Sequence, residues 1–155
     1  MNRSQWEQSQ LPCDAALGHW FAGFVDGEGC FSISRAQHGF RVELIIKLRA
    51  DDRAILEQLV SELGIGSLNT GKHSGPAVNG KPWVRWTVRS RPELIRVTEI
   101  LDSFPLRTKK ARDYALWREA AIEWAIGSQP MNWEPIESAF HALRTVREYA
   151  EVETV

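Results

Sequence analysis

The 155-residue sequence has few cysteines, no long apolar run and almost no net charge. Its two cysteines, Cys13 and Cys30, form neither a zinc-binding pattern nor a disulfide framework, which favours a reducing cytoplasmic compartment, with an organelle as the alternative. No segment approaches the ~18 consecutive apolar residues of a membrane-spanning helix. Residues 1–16 lack the apolar core of a signal peptide, and no P-loop or dinucleotide fingerprint occurs. We therefore expect neither a membrane partner nor a small-molecule cofactor.

The net charge of −1 conceals an uneven distribution along the chain. Residues 30–112 contain fifteen basic and eight acidic side chains, a net charge of +7, whereas residues 1–29 carry −3 and residues 113–155 carry −5. A basic central segment between acidic ends is typical of a protein that binds a polyanion. A merely uneven surface is the alternative interpretation.

Hydrophobic periodicity predicts a single α+β domain with the element order αββαββα and further helices at its C-terminal end. Asp14 is the expected N-cap of the first helix, a Gly39 turn joins the first two strands, and Gly64 ends the second helix. A loop containing Pro76 separates the third and fourth strands. The predicted core covers residues 14–126; residues 127–155 form a helical extension whose acidic last helix, beginning near Trp133, is expected on the outside.

One face of the predicted antiparallel sheet is apolar, and the other is rich in basic and hydroxyl side chains. Long basic side chains on adjacent strands suit DNA, because arginine can bond two guanine acceptors in the major groove and both basic types pair with phosphates. For any single strand a solvated face is the simpler interpretation, but two such strands within the basic segment favour binding. The predicted DNA-binding residues are Ser32, Ser34, Arg35, Arg41, Lys47, Arg49, Arg85, Thr87, Arg89 and Lys110.

The segment Phe21 to Gly29, FAGFVDGEG, joins the first helix to the first strand. Small residues inside this helix allow a second helix to approach closely, and a glycine there costs about 1 kcal/mol relative to alanine, so a compensating contact is expected. The last two glycines permit a tight exit from the helix. Glu28 then presents a carboxylate where DNA is expected, which suits a metal-dependent nuclease better than a simple binder, because divalent cations bridge carboxylates and phosphates.

FAGFVDGEG resembles the LAGLIDADG motif of homing endonucleases. Seven of its nine positions match directly or by an apolar substitution, with Gly27 in place of alanine and Glu28 in place of aspartate. The element order, the segment LGIG after the second helix and the basic segment PLRTKKARDY also resemble the family, so the likeness covers roughly residues 14 to 126. Because the chain has one motif, the resemblance implies a homodimer whose two sheets form a saddle on a near-palindromic DNA site.

The resemblance also implies an activity and residue roles. The activity would be Mg²⁺-dependent hydrolysis of DNA that makes double-strand breaks with 5′-phosphate and 3′-hydroxyl ends. Glu28 would bind the metal together with the Gly27 carbonyl, and Asp26 would have a structural role. Lys109, or Lys110 if the alignment shifts by one, would be the basic residue near the scissile phosphate, where it would hold water or stabilise the developing charge. The remaining implied roles are a polar active-site role for Arg49, with Arg53 as a weaker companion, and a dimer interface of Phe21, Ala22, Gly23 and Val25.

Two other functions of the same fold remain open at this point: a DNA-binding regulator that does not cleave, and a maturase that assists RNA splicing. Glu28 together with Lys109 weighs against the regulator, since a binder has no need of the acid. The sequence does not separate the maturase from the nuclease; binding to intron RNA would. An interaction domain unrelated to nucleic acid would require both the motif and the basic sheet face to be coincidences.

Overall fold

A four-stranded antiparallel sheet, covered on one face by helices, organises the computed structural model, which describes residues 2–5, 10–72 and 80–148. The strand order is β1-β2-β4-β3, so the predicted α+β class and element order are confirmed. The loop containing Pro76 lies outside the described residues. The elements are α1 (Ala15–Glu28), β1 (Gly29–Ala36), β2 (Gly39–Arg49), a 3₁₀ turn (Ala50–Asp52), α2 (Arg53–Leu63), β3 (Ser67–Lys72), β4 (Pro82–Val88), α3 (Arg91–Ser103), α4 (Lys110–Ile126) and α5 (Glu134–Arg147).

Local sequence signals account for most of these boundaries. The Asp14 carboxylate accepts a hydrogen bond from the Leu17 backbone N–H at 3.2 Å and caps α1. Gly64 ends α2 in the left-handed conformation, with φ of 69°. Gly39 begins β2 with φ of 145°, a backbone conformation that favours glycine. The predicted roles of Asp14 as a helix N-cap, Gly64 as a helix end and Gly39 in the turn between the first two strands are therefore confirmed.

The core lies between the apolar face of the sheet and the helices. Alternate residues of the strands point into it, and Leu44, Trp86 and Val88 are fully buried. The Trp86 indole donates a hydrogen bond to the Ile65 carbonyl at 3.1 Å, and the buried Trp117 indole of α4 donates one to the Glu43 carbonyl at 3.0 Å. Because both indole N–H groups are satisfied, the two largest side chains can be buried without an unpaired donor.

The C-terminal helix α5 covers the apolar face of the sheet near the β1–β2 hairpin. Its Phe140 ring lies 5.3 Å from the Phe40 ring of β2, and its Ile136 and Leu143 side chains are buried. The Arg147 guanidinium donates a hydrogen bond to the Phe31 carbonyl at 2.6 Å. The helix was expected on the outside of the molecule and away from the DNA-binding face. It instead contributes to the core, and it lies on the side of the sheet opposite to the polar face, as expected.

Among the described residues, no helix combines the length and the apolar character needed to cross a membrane.

Candidate functional site

The outer face of the sheet, which no helix of the described residues covers, is basic as predicted. The strand register places Ser34 beside Arg41 and Lys47 beside Arg85 in neighbouring strands. Strand alternation then brings most of the predicted binding residues onto this one surface. We call it the basic face; its members are Ser32, Ser34, Arg41, Glu43, Lys47, Arg49, Trp83, Arg85, Thr87 and Arg89.

Arg35 does not belong to the basic face, so the prediction that it contacts DNA together with the residues of that face is wrong. It shares the alternation of Phe31 and Ile33, so its side chain lies on the helix-covered side of β1. Its guanidinium is 5.0 Å from the centre of the Phe140 ring and pairs with Glu137 of α5 at 4.0 Å. Arg35 therefore packs against the C-terminal helix.

Glu43 is a member of the basic face that the sequence analysis passed over. Its side chain is 12% exposed, and its Oε1 atom lies 3.8 Å from Arg41 Nε and 3.8 Å from Arg89 Nη1. The signal for it was the strand alternation, since Glu43 stands two residues after Arg41. An acid thus lies between two arginines on an otherwise basic surface.

Trp83 is the second member that the sequence analysis missed. Its ring lies 4.7 Å from Lys47 Nζ and 5.5 Å from Arg85 Cζ, within range of cation–π contacts. A Cβ atom at Gly71 of β3 would lie 2.3 Å from the same ring, so glycine at this position leaves the space that the indole occupies. Alternation with Arg85 was the available signal.

Two polar atoms of the basic face are buried without a hydrogen-bond partner in the described part of the chain. They are Nε of Arg85 and Oγ1 of Thr87, on alternate residues of β4. An unpaired buried polar atom costs about 1–3 kcal/mol, and native proteins contain few of them.

The end of α1 presents a free carboxylate. Glu28 is the last helical residue and is exposed, and no hydrogen bond or ion pair joins its carboxylate to another described residue. The last turn also contains Asp26 but no basic residue. Because the C-terminal end of a helix carries partial negative charge, an unpaired acid such as Glu28 is electrostatically unfavourable there. The carboxylate and the terminal carbonyls, including that of Gly27, are hard oxygen donors of the type that Mg²⁺ prefers.

Glu28 emerges beside the end of β2. Gly29 directly follows Glu28, begins β1 and pairs with Ile46 of β2. Lys47 and Arg49 come next on β2, and the Arg49 guanidinium pairs with Asp51 at 3.0 Å. Arg53, the weaker candidate, pairs with Glu57 of α2 at 2.6 Å. The motif helix therefore ends at the same edge of the molecule as the basic strand end.

Asp26 ties the basic segment before α4 to α1. Its carboxylate accepts hydrogen bonds from the backbone N–H groups of Arg107 and Thr108, at 2.9 and 3.1 Å, and from the Thr108 hydroxyl at 2.7 Å. Partial burial alone would raise the pKa of Asp26, but these hydrogen bonds and the nearby charge of Lys110 outweigh it and lower the pKa. Asp26 thus has a structural role, because it holds the segment that precedes α4 against α1.

The two lysines at the start of α4 occupy different environments. Lys110 is half-buried, and its Nζ donates a hydrogen bond to the Val25 carbonyl in the last part of α1 at 3.3 Å. Lys109 is exposed and no hydrogen bond of its side chain is seen with another described residue. Of the two alternatives, Lys110 therefore lies at the end of the motif helix.

The predicted dimer interface requires a correction. Phe21 and Val25 are fully buried and Ala22 nearly so, within the subunit's own core, where the Phe21 ring lies 5.9 Å from that of Trp86. They occupy the inward side of α1 because that side packs on the sheet. The exposed members of the motif are Gly23, Gly27 and Glu28, and a Cβ atom added at either glycine would meet nothing within 4 Å.

A groove of about 440 Å³ adjoins this open surface. It is lined by His19, Ala22, Gly23, Asp26, Pro105 and Arg107.

No group of three or more His, Cys, Asp or Glu side chains that could hold a metal ion occurs among the described residues. Within the described part of the chain, Glu28 therefore does not belong to a cluster of three or more metal-ligating side chains.

The helices packed on one face of a four-stranded antiparallel sheet form an α+β fold that is shared with solved LAGLIDADG homing endonucleases. The model of the LAGLIDADG endonuclease family matches residues 21–121. The chain belongs to the LAGLIDADG endonuclease family.

Relatives and solved structures agree with this assignment. A probable intron-encoded endonuclease, Cox1-I1b of Schizosaccharomyces pombe, is 34% identical over 119 residues, which are 74% of this chain and 29% of that protein. The LAGLIDADG meganuclease I-AabMI, bound to uncleaved DNA, superposes with a TM-score of 0.68 and 27% identity over 88% of this chain and 46% of its own. The archaeal intron-encoded homing endonuclease I-Vdi141I, complexed with DNA, gives a TM-score of 0.68 at 20% identity, over 90% of this chain and 89% of its own. The chain therefore spans less than a third of the first relative and less than half of I-AabMI.

Proposed function

We propose that this chain is one catalytic unit of a site-specific DNA endonuclease that makes double-strand breaks at a long, near-palindromic target. The observation that carries the proposal is the free Glu28 carboxylate at the end of α1, beside Lys110 and the end of the basic face. The LAGLIDADG meganuclease I-AabMI, 27% identical to this chain, is bound to DNA, which supports DNA as the ligand of the basic face.

A second copy of the chain would complete the active unit. Gly23 and Gly27 each weaken α1 by about 1 kcal/mol relative to alanine, yet neither is required by a contact within the subunit. A second α1 crossing at these glycines would supply the reason for them, because small residues let helix backbones approach closely. Two-fold symmetry of the dimer would then require an approximately palindromic DNA site.

Glu28 and the Gly27 carbonyl are the groups that would hold a divalent cation, Mg²⁺ by the hardness of the oxygen donors. When bound, such an ion neutralises phosphate charge and makes the attacking water more acidic. The reaction is hydrolysis: the water oxygen bonds to phosphorus, the bond from phosphorus to the 3′ oxygen breaks, and that oxygen gains a proton. One strand would be cut at each of the two sites.

The chain's other groups would position and stabilise the phosphate. The half-buried Lys110 ammonium lies at the end of α1, where it can stabilise negative charge that develops on the phosphate. Asp26 holds the preceding segment in place through three hydrogen bonds. Arg49, at the end of β2, would contact the DNA backbone near the cut.

The test is cleavage of a randomised or genomic double-stranded DNA library with Mg²⁺, comparing the natural protein with Glu28→Gln. We expect breaks at a near-palindromic sequence, and we expect the substitution to abolish them while specific binding persists. Glu119→Gln is the matched control, because Glu119 is also exposed and lies on α4, outside the site. Specific binding to DNA without cleavage by either protein would overturn the nuclease and favour a regulator, and preferential binding to intron RNA would favour a maturase.

A further inference from the structure

We infer that Glu43 is a positioning residue for DNA sequence readout, which holds the Arg41 and Arg89 guanidiniums so that the two arginines read neighbouring bases as one unit. The inference rests on the proposed function, since it concerns how the basic face would select its DNA.

The position of Glu43 is electrostatically unfavourable for a surface that only attracts DNA. A carboxylate on the basic face repels phosphates, and its 12% side-chain exposure adds the free-energy cost of removing a charge from water. A neutral side chain at this position would bind phosphates better. A role in arranging the arginines accounts for an acid here, whereas general attraction to DNA does not.

The contacts of Glu43 fit that role. One carboxylate oxygen, Oε1, lies 3.8 Å from a guanidinium nitrogen of Arg41 and 3.8 Å from one of Arg89, which makes it a shared ion-pair partner of both. The arginine side chains are nevertheless 56% and 63% exposed. Since each guanidinium has five N–H donors, both retain outward donors that can bond the acceptors of guanine.

The backbone under Glu43 is fixed by the core. The Glu43 carbonyl accepts a hydrogen bond from the indole of Trp117, which is fully buried. Its strand is paired on both sides, with Ser32 of β1 opposite Glu43 and with the neighbouring Leu44 opposite Val88 of β4, the residue before Arg89. The carboxylate therefore stands on a rigid central strand, a suitable support for side chains that must hold one orientation.

This arrangement differs from direct readout by Glu43. A carboxylate can itself accept a hydrogen bond from the amino group of cytosine. In that case the preference lost on changing Glu43 would fall on a base pair that Arg41 and Arg89 do not read. With a positioning role, all three residues would influence the same base pairs.

The test is selection of bound sequences from a randomised double-stranded DNA library by the natural protein and by Glu43→Gln, Arg41→Gln and Arg89→Gln. We expect Glu43→Gln to relax discrimination by about tenfold or more at the base pairs that the two arginine variants relax. We also expect equal or stronger affinity for unselected DNA, and combined substitutions should be non-additive because the residues are in contact. A thermal unfolding curve verifies that each variant folds. If Glu43→Gln does not fold, Glu43→Asp is used in its place; it keeps the charge on a shorter side chain and should relax discrimination at the same base pairs.

Glu137→Gln provides the matched control, since it removes an arginine–glutamate pair on the helix-covered side of the sheet. An unchanged preference in Glu43→Gln, or a loss confined to base pairs that the arginine variants leave intact, would overturn the inference while the proposed function stands. Absence of any sequence preference in the natural protein would instead count against the proposed function itself.

Discussion

Asp26 and Thr108 are joined by two hydrogen bonds across 82 positions of sequence, from the Thr108 backbone N–H and from its hydroxyl, both to one carboxylate oxygen. With the bond from the Arg107 N–H, they attach the start of α4 to the motif helix. The relationship fixes the distance between the part of the chain that bears Glu28 and the part that bears Lys110.

Replacing Asp26 with Asn should destabilise the protein by about 1–2 kcal/mol, because hydrogen bonds to a charged acceptor are lost or weakened. Chemical denaturation at pH 7 measures the difference. The effect should depend on pH: the folded pKa of Asp26 is lowered, so its contribution is fully present above the unfolded carboxyl pKa of about 4 and is lost as pH falls through the lower folded value. The stabilities of the two proteins should converge below pH 4; a constant difference down to pH 2 would contradict this account.

Replacing Lys110 with Met should lower the cleavage rate by about 10²–10³-fold while DNA affinity changes little, because a charge that stabilises the developing phosphate charge is removed. Lys109→Met, the neighbouring substitution of the same type, should have a much smaller effect, since its side chain is exposed and without a partner among the described residues. Single-turnover cleavage with saturating enzyme measures both rates. The reverse ranking would return the role to Lys109.

Replacing Gly23 with Leu should prevent self-association while the subunit still folds. A Cβ atom added at Gly23 would meet no atom of its own subunit within 4 Å, and leucine has the higher helix propensity. Sedimentation velocity with and without DNA measures assembly, and circular dichroism measures folding. In Gly18→Ala, by contrast, the new Cβ would lie 2.2 Å from the Phe104 ring, so this change in the same helix should unfold the subunit more readily. Unimpaired assembly of Gly23→Leu would place the interface elsewhere.

Replacing Lys47 with Ala should reduce the salt dependence of DNA binding by about one unit in the slope of log affinity against log salt, because the exposed Lys47 ammonium of the basic face would pair with a phosphate. Arg35→Ala should leave that slope unchanged, because Arg35 lies against Phe140 and Glu137 on the other side of the sheet. Fluorescence anisotropy across a salt titration measures both slopes. Equal reductions would restore Arg35 to the binding surface.

Much of the fold could be predicted because its signals are local. Asp14 caps α1 through a residue three positions away, and Gly64 ends α2 by its own backbone freedom. Even Arg35 could have been assigned from strand alternation, because it is in phase with Phe31 and Ile33. Its positive charge favoured the wrong prediction that Arg35 contacts DNA, although the alternation places it on the helix-covered side.

The parts that could not be predicted depend on contacts between distant segments. Which side of α1 faces the core is decided by packing, so Phe21 and Val25 could not be separated from the exposed Gly23 by composition alone. The pairing of Glu43 with Arg89 requires the register of two strands that are remote in sequence. The distinction between Lys109 and Lys110 requires the orientation of α4 relative to α1.

The direct passage from α1 into β1 has a consequence for changing the protein's target. No residue separates Glu28 from the strand, which begins at Gly29. A Cβ atom at Gly29 would lie 2.8 Å from the Val25 carbonyl oxygen, so the junction is tightly packed and cannot absorb a shift of the strand. Redesign for a new target would therefore exchange side chains such as Ser32 and Ser34 in place. Inserting or deleting a residue in β1 would shift the recognition surface against the cutting position, and the two would have to be optimised together.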